Sequence, residues 1–233
     1  MHKIIVLFSL SLVAAGTAVA QSPRTSGEHQ WQRNFHPDKA SLRPSGVNPY
    51  FRLESGYRMN YQSGSHTDTV TVLPATKLID GVETRVVEDK ESENGDLIEL
   101  THDYFAIDRT NNDVYYFGED VDEYKDGKVV GHGGSWLSGV KGAHFGLMMP
   151  GKVEVGQRFY EELAPGVGED RAEVISKSGH VATPYGTFDD CVKIRETSPL
   201  EPGSAETKFY VRGIGLVKDP EFLLVKVTTG TRD

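Results

Sequence analysis

The stretch from His102 to Trp136 gathers the side chains best able to do chemistry. Six carboxylates, Asp103, Asp108, Asp113, Glu119, Asp120 and Asp122, lie on or between two strand-like aromatic runs. Hard cations such as Ca²⁺ need several oxygens converging at about 2.3–2.6 Å. Asp108 and Asp113 at a turn, with Glu119 and Asp120 beyond it, are the set that could supply them. No EF-hand frame is present, and the competing reading is a solvated turn followed by an acidic exposed strand.

The same stretch carries Tyr104, Phe105, Tyr115, Tyr116 and Phe117, and Trp136 closes the glycine-rich loop after it. Side chains alternate between the faces of a strand. One aromatic face belongs to a core. The other, with Tyr104, Tyr115, Phe117 and Trp136, could line a groove for an apolar ligand, since pockets combine apolar walls with a few polar groups. Two packed faces are the alternative.

Hydrolytic sets fare worse. His102 and Asp103 are adjacent in a strand, so Asp103 points away from His102 and cannot orient it as a base. Ser135 fails the nucleophile-elbow pattern, because Leu137 stands where the second glycine belongs. Glu161, Glu162, Glu169 and Asp170 form a second acidic group of a kind that runs glycoside hydrolysis when two carboxylates flank a bond. The eight histidines show no zinc spacing. Cys191, the only cysteine, follows Asp189 and Asp190, which disfavour a thiolate; it reads as a small buried hydrophobe.

The elements that must position these residues are strands. Asp80-Gly81, Asn94-Gly95 and Asp126-Gly127 separate β-rich runs, and such pairs tolerate the positive φ of two-residue hairpins. The region 131–151 has six glycines from Gly131 to Gly146 and reads as a long irregular loop. Phe159 to Leu163 fits a helical turn or a strand equally. The last third is again β. Residues 49–233 are expected to form one mainly β domain, a single highly curved antiparallel sheet with at most short helices.

Ahead of that domain, His2 and Lys3 precede an apolar run from Ile4 to Ala15, and Ala18-Val19-Ala20 precedes Gln21. Such an n-, h- and c-region pattern predicts a signal peptide over 1–20 and a periplasmic or secreted protein. Residues 21–48 lack periodicity and read as a flexible N-terminal arm that Trp31 and Phe35 could pin to the body. Removing Lys3 with the leader lowers 25 basic residues to 24 against 34 acidic ones, a balance of −10. That balance argues against nucleic acid, no basic cluster stands out along the chain, and no later run is apolar enough to span a membrane.

The strings TPYGTFDDCVKIRET and KFYVRGIGLVK resemble the C-terminal signature of exported bacterial proteins of the TapB type, themselves related to LolA-like half-barrels. AIDRTNNDVYYFGED, GSWLSGVKGA and GQRFYEELAPGVGEDRAEV resemble strings from the same group of secreted proteins, so the likeness spans roughly residues 50–228. The chain departs from the pattern at Asn112-Asp113, where Gly-Asn is usual. The resemblance implies a LolA-like half-barrel and carries no activity with it. Three functions follow as expectations. The first is an exported, non-catalytic β protein that binds an apolar ligand or an envelope partner protein. The second is a carboxylate-dependent hydrolase of envelope or extracellular polymers, assisted by Ca²⁺. The third is a structural accessory protein without a small-molecule site.

Overall fold

The computed structural model describes residues 31–230; the predicted leader and residues 21–30 of the predicted arm lie outside the described residues. Among the described residues the only helix is one 3-10 turn, Lys39–Ser41, capped by Asp38, which accepts from the Ala40 amide. No helix among them is long and apolar enough to cross a membrane.

From Trp31 onward the expected flexible arm is laid against the body. Strand β1 (Leu42–Arg43) pairs with Asp108 and Ile107, and β2 (Val47–Asn48) forms a hairpin with β3 (Phe51–Arg52). Asn48 is fully buried, and its amide nitrogen donates to the carbonyls of Asn112, Met149 and Pro150. A polar stretch can read as loose in sequence and still be tied down, when its polar groups satisfy buried carbonyls of the body.

A long meander follows: β4 (Arg58–Ser63), β5 (His66–Ile79), β6 (Val82–Glu93), β7 (Asp96–Asp108) and β8 (Val114–Lys125). Its tight turns fall where the sequence placed them, with Asp80 at φ 48° and Gly81 at 77°, and Asn94 at 53° and Gly95 at 92°. The glycine-rich region is more regular than expected. After β9 (Lys128–Gly131), β10 (Trp136–Leu137) pairs with the middle of β8, and β11 (His144–Met149) is a full strand of the sheet. A glycine of β8 permits the close approach of β10: a Cβ on Gly118 would lie 2.2 Å from the Trp136 carbonyl oxygen.

Phe159 to Leu163 resolves as two short strands, β12 (Arg158–Tyr160) and β13 (Glu162–Leu163). The chain then runs through β14 (Arg171–Ala182), β15 (Thr187–Thr197), β16 (Glu206–Val211), β17 (Gly215–Asp219) and β18 (Phe222–Thr228). The main sheet has the order β12-β14-β15-β16-β17-β18-β4-β5-β6-β7-β8-β11-β13, and every one of these pairings is antiparallel. Only Glu161 separates β12 from β13, so one segment, 158–163, stands at both ends of the sheet. The single curved antiparallel sheet expected from the sequence is therefore wrapped until it is nearly closed and barrel-like.

At that seam Gly146 of β11 meets the 158–163 segment back to back. A Cβ on Gly146 would lie 2.2 Å from the Glu161 carbonyl oxygen and 2.8 Å from that of Tyr160. Backbone atoms cannot retreat as a flexible side chain can, so Gly146→Ala is expected to destabilise the protein by about 3 kcal/mol, the upper part of the range for overpacking. Urea unfolding midpoints of the two proteins measure this; an unchanged midpoint would show that the seam tolerates the methyl group.

Candidate functional site in the barrel interior

Strand alternation and register together fill the interior with charge. Partners directly opposite in a ladder share a face. Tyr61 of β4 stands opposite Asp68 of β5, which stands opposite Glu91 of β6. Two residues along, Val70 is followed by Asp89 and Thr101, and two further on, Val72 is followed by Val87, Asp103 and Glu119. Asp68, Asp89, Glu91, Asp103 and Glu119 are all buried. Acidic residues that look solvated in sequence thus line an enclosed wall.

Across the interior lies Lys208 of β16, fully buried between Ile194 of the neighbouring ladder and the strand β17. Its Nζ is 2.7 Å from Glu196 and 3.3 Å from Asp219. Burial alone would lower its pKa; Asp219 and Glu196 overrule that and hold it well above the ordinary lysine value. The lysine is therefore a permanent cation. Glu161 and Asp170 face the same group. Burial, reinforced by Glu196, pushes Glu161 well above the usual carboxylate range although Lys208 opposes it. Burial likewise raises Asp170 to about 7, against the opposing pull of the Ser198 hydrogen bond and Lys208. Asp219 is raised by burial too. Glu161 and Asp170 belong to the second acidic group noted in the sequence, and the fold brings them together around a lysine that the sequence did not single out.

A second polar group sits nearer β10. The Tyr116 hydroxyl donates to Asp103 Oδ1 at 2.6 Å, with Glu119 opposite Asp103 in the ladder. The Trp136 ring meets Tyr116 edge-on at 5.3 Å. Burial and the charge of Asp103 keep the Tyr116 phenol protonated, well above its ordinary pKa.

The four aromatic groove candidates are split between two faces. Tyr104 lies on the outer wall, where its hydroxyl donates to Asp120 Oδ2 at 2.5 Å and Lys77 sits 4.3 Å above its ring. Tyr115 meets Phe35 and Phe145 edge-on, at 6.1 and 5.6 Å, and Phe117 stacks on Phe145 at 4.8 Å. Their face is covered by the docked arm, so Phe35 does pin it, and Trp136 turns instead to Tyr116.

The expected calcium ligands are not assembled either. Asp108 accepts from the amide and hydroxyl of Thr110, and Asp113 from the Gly151 amide and Asn111, both at the turn between β7 and β8. Glu119 is buried inside, while Asp120, its neighbour on a strand, faces out and takes the Lys77 ammonium at 2.6 Å. Strand alternation separates this pair, and strand length separates it from the turn. Among the described residues no group of three or more His, Cys, Asp or Glu could hold a metal ion. His102 and Asp103 point apart as the strand reading required. His102 lies 3.9 Å from Glu88, and the Ser135 hydroxyl accepts from the Val121 amide. Cys191 is fully buried, and its thiol is raised by that burial.

An apolar slot of about 30 Å³ opens on the inner face, lined among others by Tyr50, Phe51, Met59, Val72, Met148 and Leu216. Tyr61 and Tyr210 also line it and join it to the charged region. The Tyr61 hydroxyl donates to the Leu216 carbonyl at 2.9 Å. Two residues along the same strands from Val70 and Val87, Asp68 and Asp89 lie diagonally across the ladder, and burial followed by the charge of Asp89 raises Asp68 well above its usual range. Comparison with protein-family models, with curated proteins and with solved structures returns no match.

Removing Lys208 strands carboxylates that it now neutralises. Lys208→Met is expected to cost about 3–5 kcal/mol at pH 8, the usual penalty for breaking one side of a buried ion pair. At pH 5 the loss should be smaller, because carboxyls without the lysine take up protons more readily. Chemical unfolding at the two pH values measures both, and an equal loss at each would argue against the lysine's electrostatic role.

Proposed function

We propose that the protein is a non-catalytic binding protein whose inner slot receives the end of an apolar ligand or an apolar side chain of an envelope partner. The observation that carries this reading is the slot itself: apolar walls from β4, β5, β11 and β17, with phenol groups at its base. Its size selects the mode of binding. About 30 Å³ holds only one or two methyl-sized groups, so a ligand enters by its tip and leaves the rest outside. Arg52, at the rim, is already engaged by Glu54 and by the Gly213 carbonyl, so its charge serves the fold first.

Hydrolysis of envelope polymers finds less support. Tyr61 of the slot stands opposite Asp68 in the ladder, and both oxygens of Asp68 lie out of reach of solvent. A general acid or base must come within hydrogen-bond reach of its substrate. Export follows from the leader pattern of residues 1–20 and agrees with the resemblance to TapB-type, LolA-like proteins, an argument from fold analogy.

Methionine methyl NMR tests the slot directly. Met59 and Met148 line it and Met149 does not. Titration with decanoate is expected to shift the Met59 and Met148 methyls saturably and leave Met149 in place. Leu216→Trp, which fills the slot, should weaken that binding at least tenfold. Shifts that never saturate, or that survive the filled slot unchanged, would overturn the reading.

A further inference from the structure

We propose that the barrel seam at residues 158–163 is a proton-controlled gate, closed while Glu161 and Asp170 are uncharged and loosened when they ionise. The proposal does not depend on the slot or its ligand.

The seam closes the sheet through two short ladders. Three residues of β12 hold it to β14 and two residues of β13 hold it to β11. At its centre the Glu161 and Glu162 amides both donate to the Asp170 carbonyl, at 2.8 and 3.2 Å. The carboxyl groups of this joint point inward: Glu161 is 4% exposed and Asp170 7%.

The groups facing them come from every neighbouring element. Glu161 faces Glu196 on β15, Lys208 and Tyr210 on β16, Asp219 on β17, and Asp170 itself. Asp170 faces Glu196, Lys208 and Glu201, and accepts from the Ser198 hydroxyl. Lys208 is the only cation among these groups, and Glu196 and Asp219 are its contact partners. Ionising Glu161 and Asp170 would add two negative charges where a single positive charge already serves two carboxyls. Repulsion in a poorly solvated space then works against the few hydrogen bonds of the seam.

The direction with pH follows from linkage. In the closed seam Asp170 releases its proton only at about 7, whereas a carboxyl in water does so near 4. The closed form therefore binds more protons between those values, and it loses ground to the open form as pH rises through that window. Glu161 is displaced in the same direction and extends the effect. On the outside, Trp31 lies between Arg158 and Arg171, 5.4 and 4.6 Å from its ring. Gln32 exchanges backbone hydrogen bonds with Arg158 and Tyr160. This strap keeps the loosened segment tethered, so the gate opens locally and the barrel does not unravel.

Hydrogen exchange of the full chain at pH 5.0 and 8.5, with times scaled for the intrinsic rate, tests the gate. Protection across 158–163 and 171–174 is expected to fall at least tenfold at the higher pH, while the turn end of the β5–β6 hairpin, residues 76–85, which carries none of the buried acids, keeps its protection. Glu161→Gln with Asp170→Asn should keep the seam protected at both values. Equal seam protection at the two pH values, or a loss shared by residues 76–85, would overturn the proposal. So would a double variant that still opens at pH 8.5. If the double variant does not fold, Asp170→Asn alone replaces it, and the unmodified protein's two profiles still decide.

Discussion

The interior depends on one buried ammonium. Lys208 stands with Glu196 and Asp219 in contact and Glu161 and Asp170 close by, all of them buried. A buried ion pair recovers its desolvation only if its geometry and remaining hydrogen bonds are good, and here one cation is shared among several acids. The arrangement is eased because burial raises Glu161, Asp170, Asp219 and Asp68, so these acids give up their protons less readily than exposed ones. The polar interior is thus a network of carboxyls held above their ordinary range, phenols and one ammonium. Its balance shifts with the proton supply.

The outer wall follows the opposite rule. Asp120 is lowered by the hydrogen bonds of Lys77 and Tyr104 despite partial burial, and Asp108 by the hydrogen bonds of Thr110. Glu173 is lowered by Arg158 and Arg195. These groups contribute stability above their unfolded pKa values and lose it only in strong acid. The two walls consequently pull stability in opposite directions with pH. Inner acids favour the acidic side and outer ones the neutral side, and at the seam the inner set meets two short ladders.

Closure sets both the shape and the size of what can bind. A sheet of this many strands could enclose a wide cavity. Here the inward Tyr61, Phe105, Tyr116 and Tyr210 are all nearly or wholly without exposure, and they occupy that space. Beside Met59 and Met148 a small slot is left. Aromatic and acidic inward residues alternate along the rungs, so the apolar slot and the proton-binding region share the phenols of Tyr61 and Tyr210.

By itself the sequence determined the class and rhythm of the fold. Local turn chemistry placed Asp80-Gly81, Asn94-Gly95 and Asp126-Gly127 between strands, because positive φ is a property of those residues alone. It also set His102 and Asp103 on opposite faces, since alternation needs no partner. Only the tertiary structure decided which face is inside. Asp68, Glu91 and Lys208 look like solvated strand residues until register places them opposite Tyr61 or beside Glu196, and register is a relation between distant segments. The glycine-rich region became strands because Gly118 of β8 lets Trp136 approach and Gly146 lets Glu161 approach, contacts between separate segments. The stretch 102–136 was dissected by the same alternation. Tyr116 and Glu119 went inward and Tyr104 and Asp120 outward, so residues crowded in sequence were parted in space. Glu161 and Lys208, nearly fifty positions apart, were brought together.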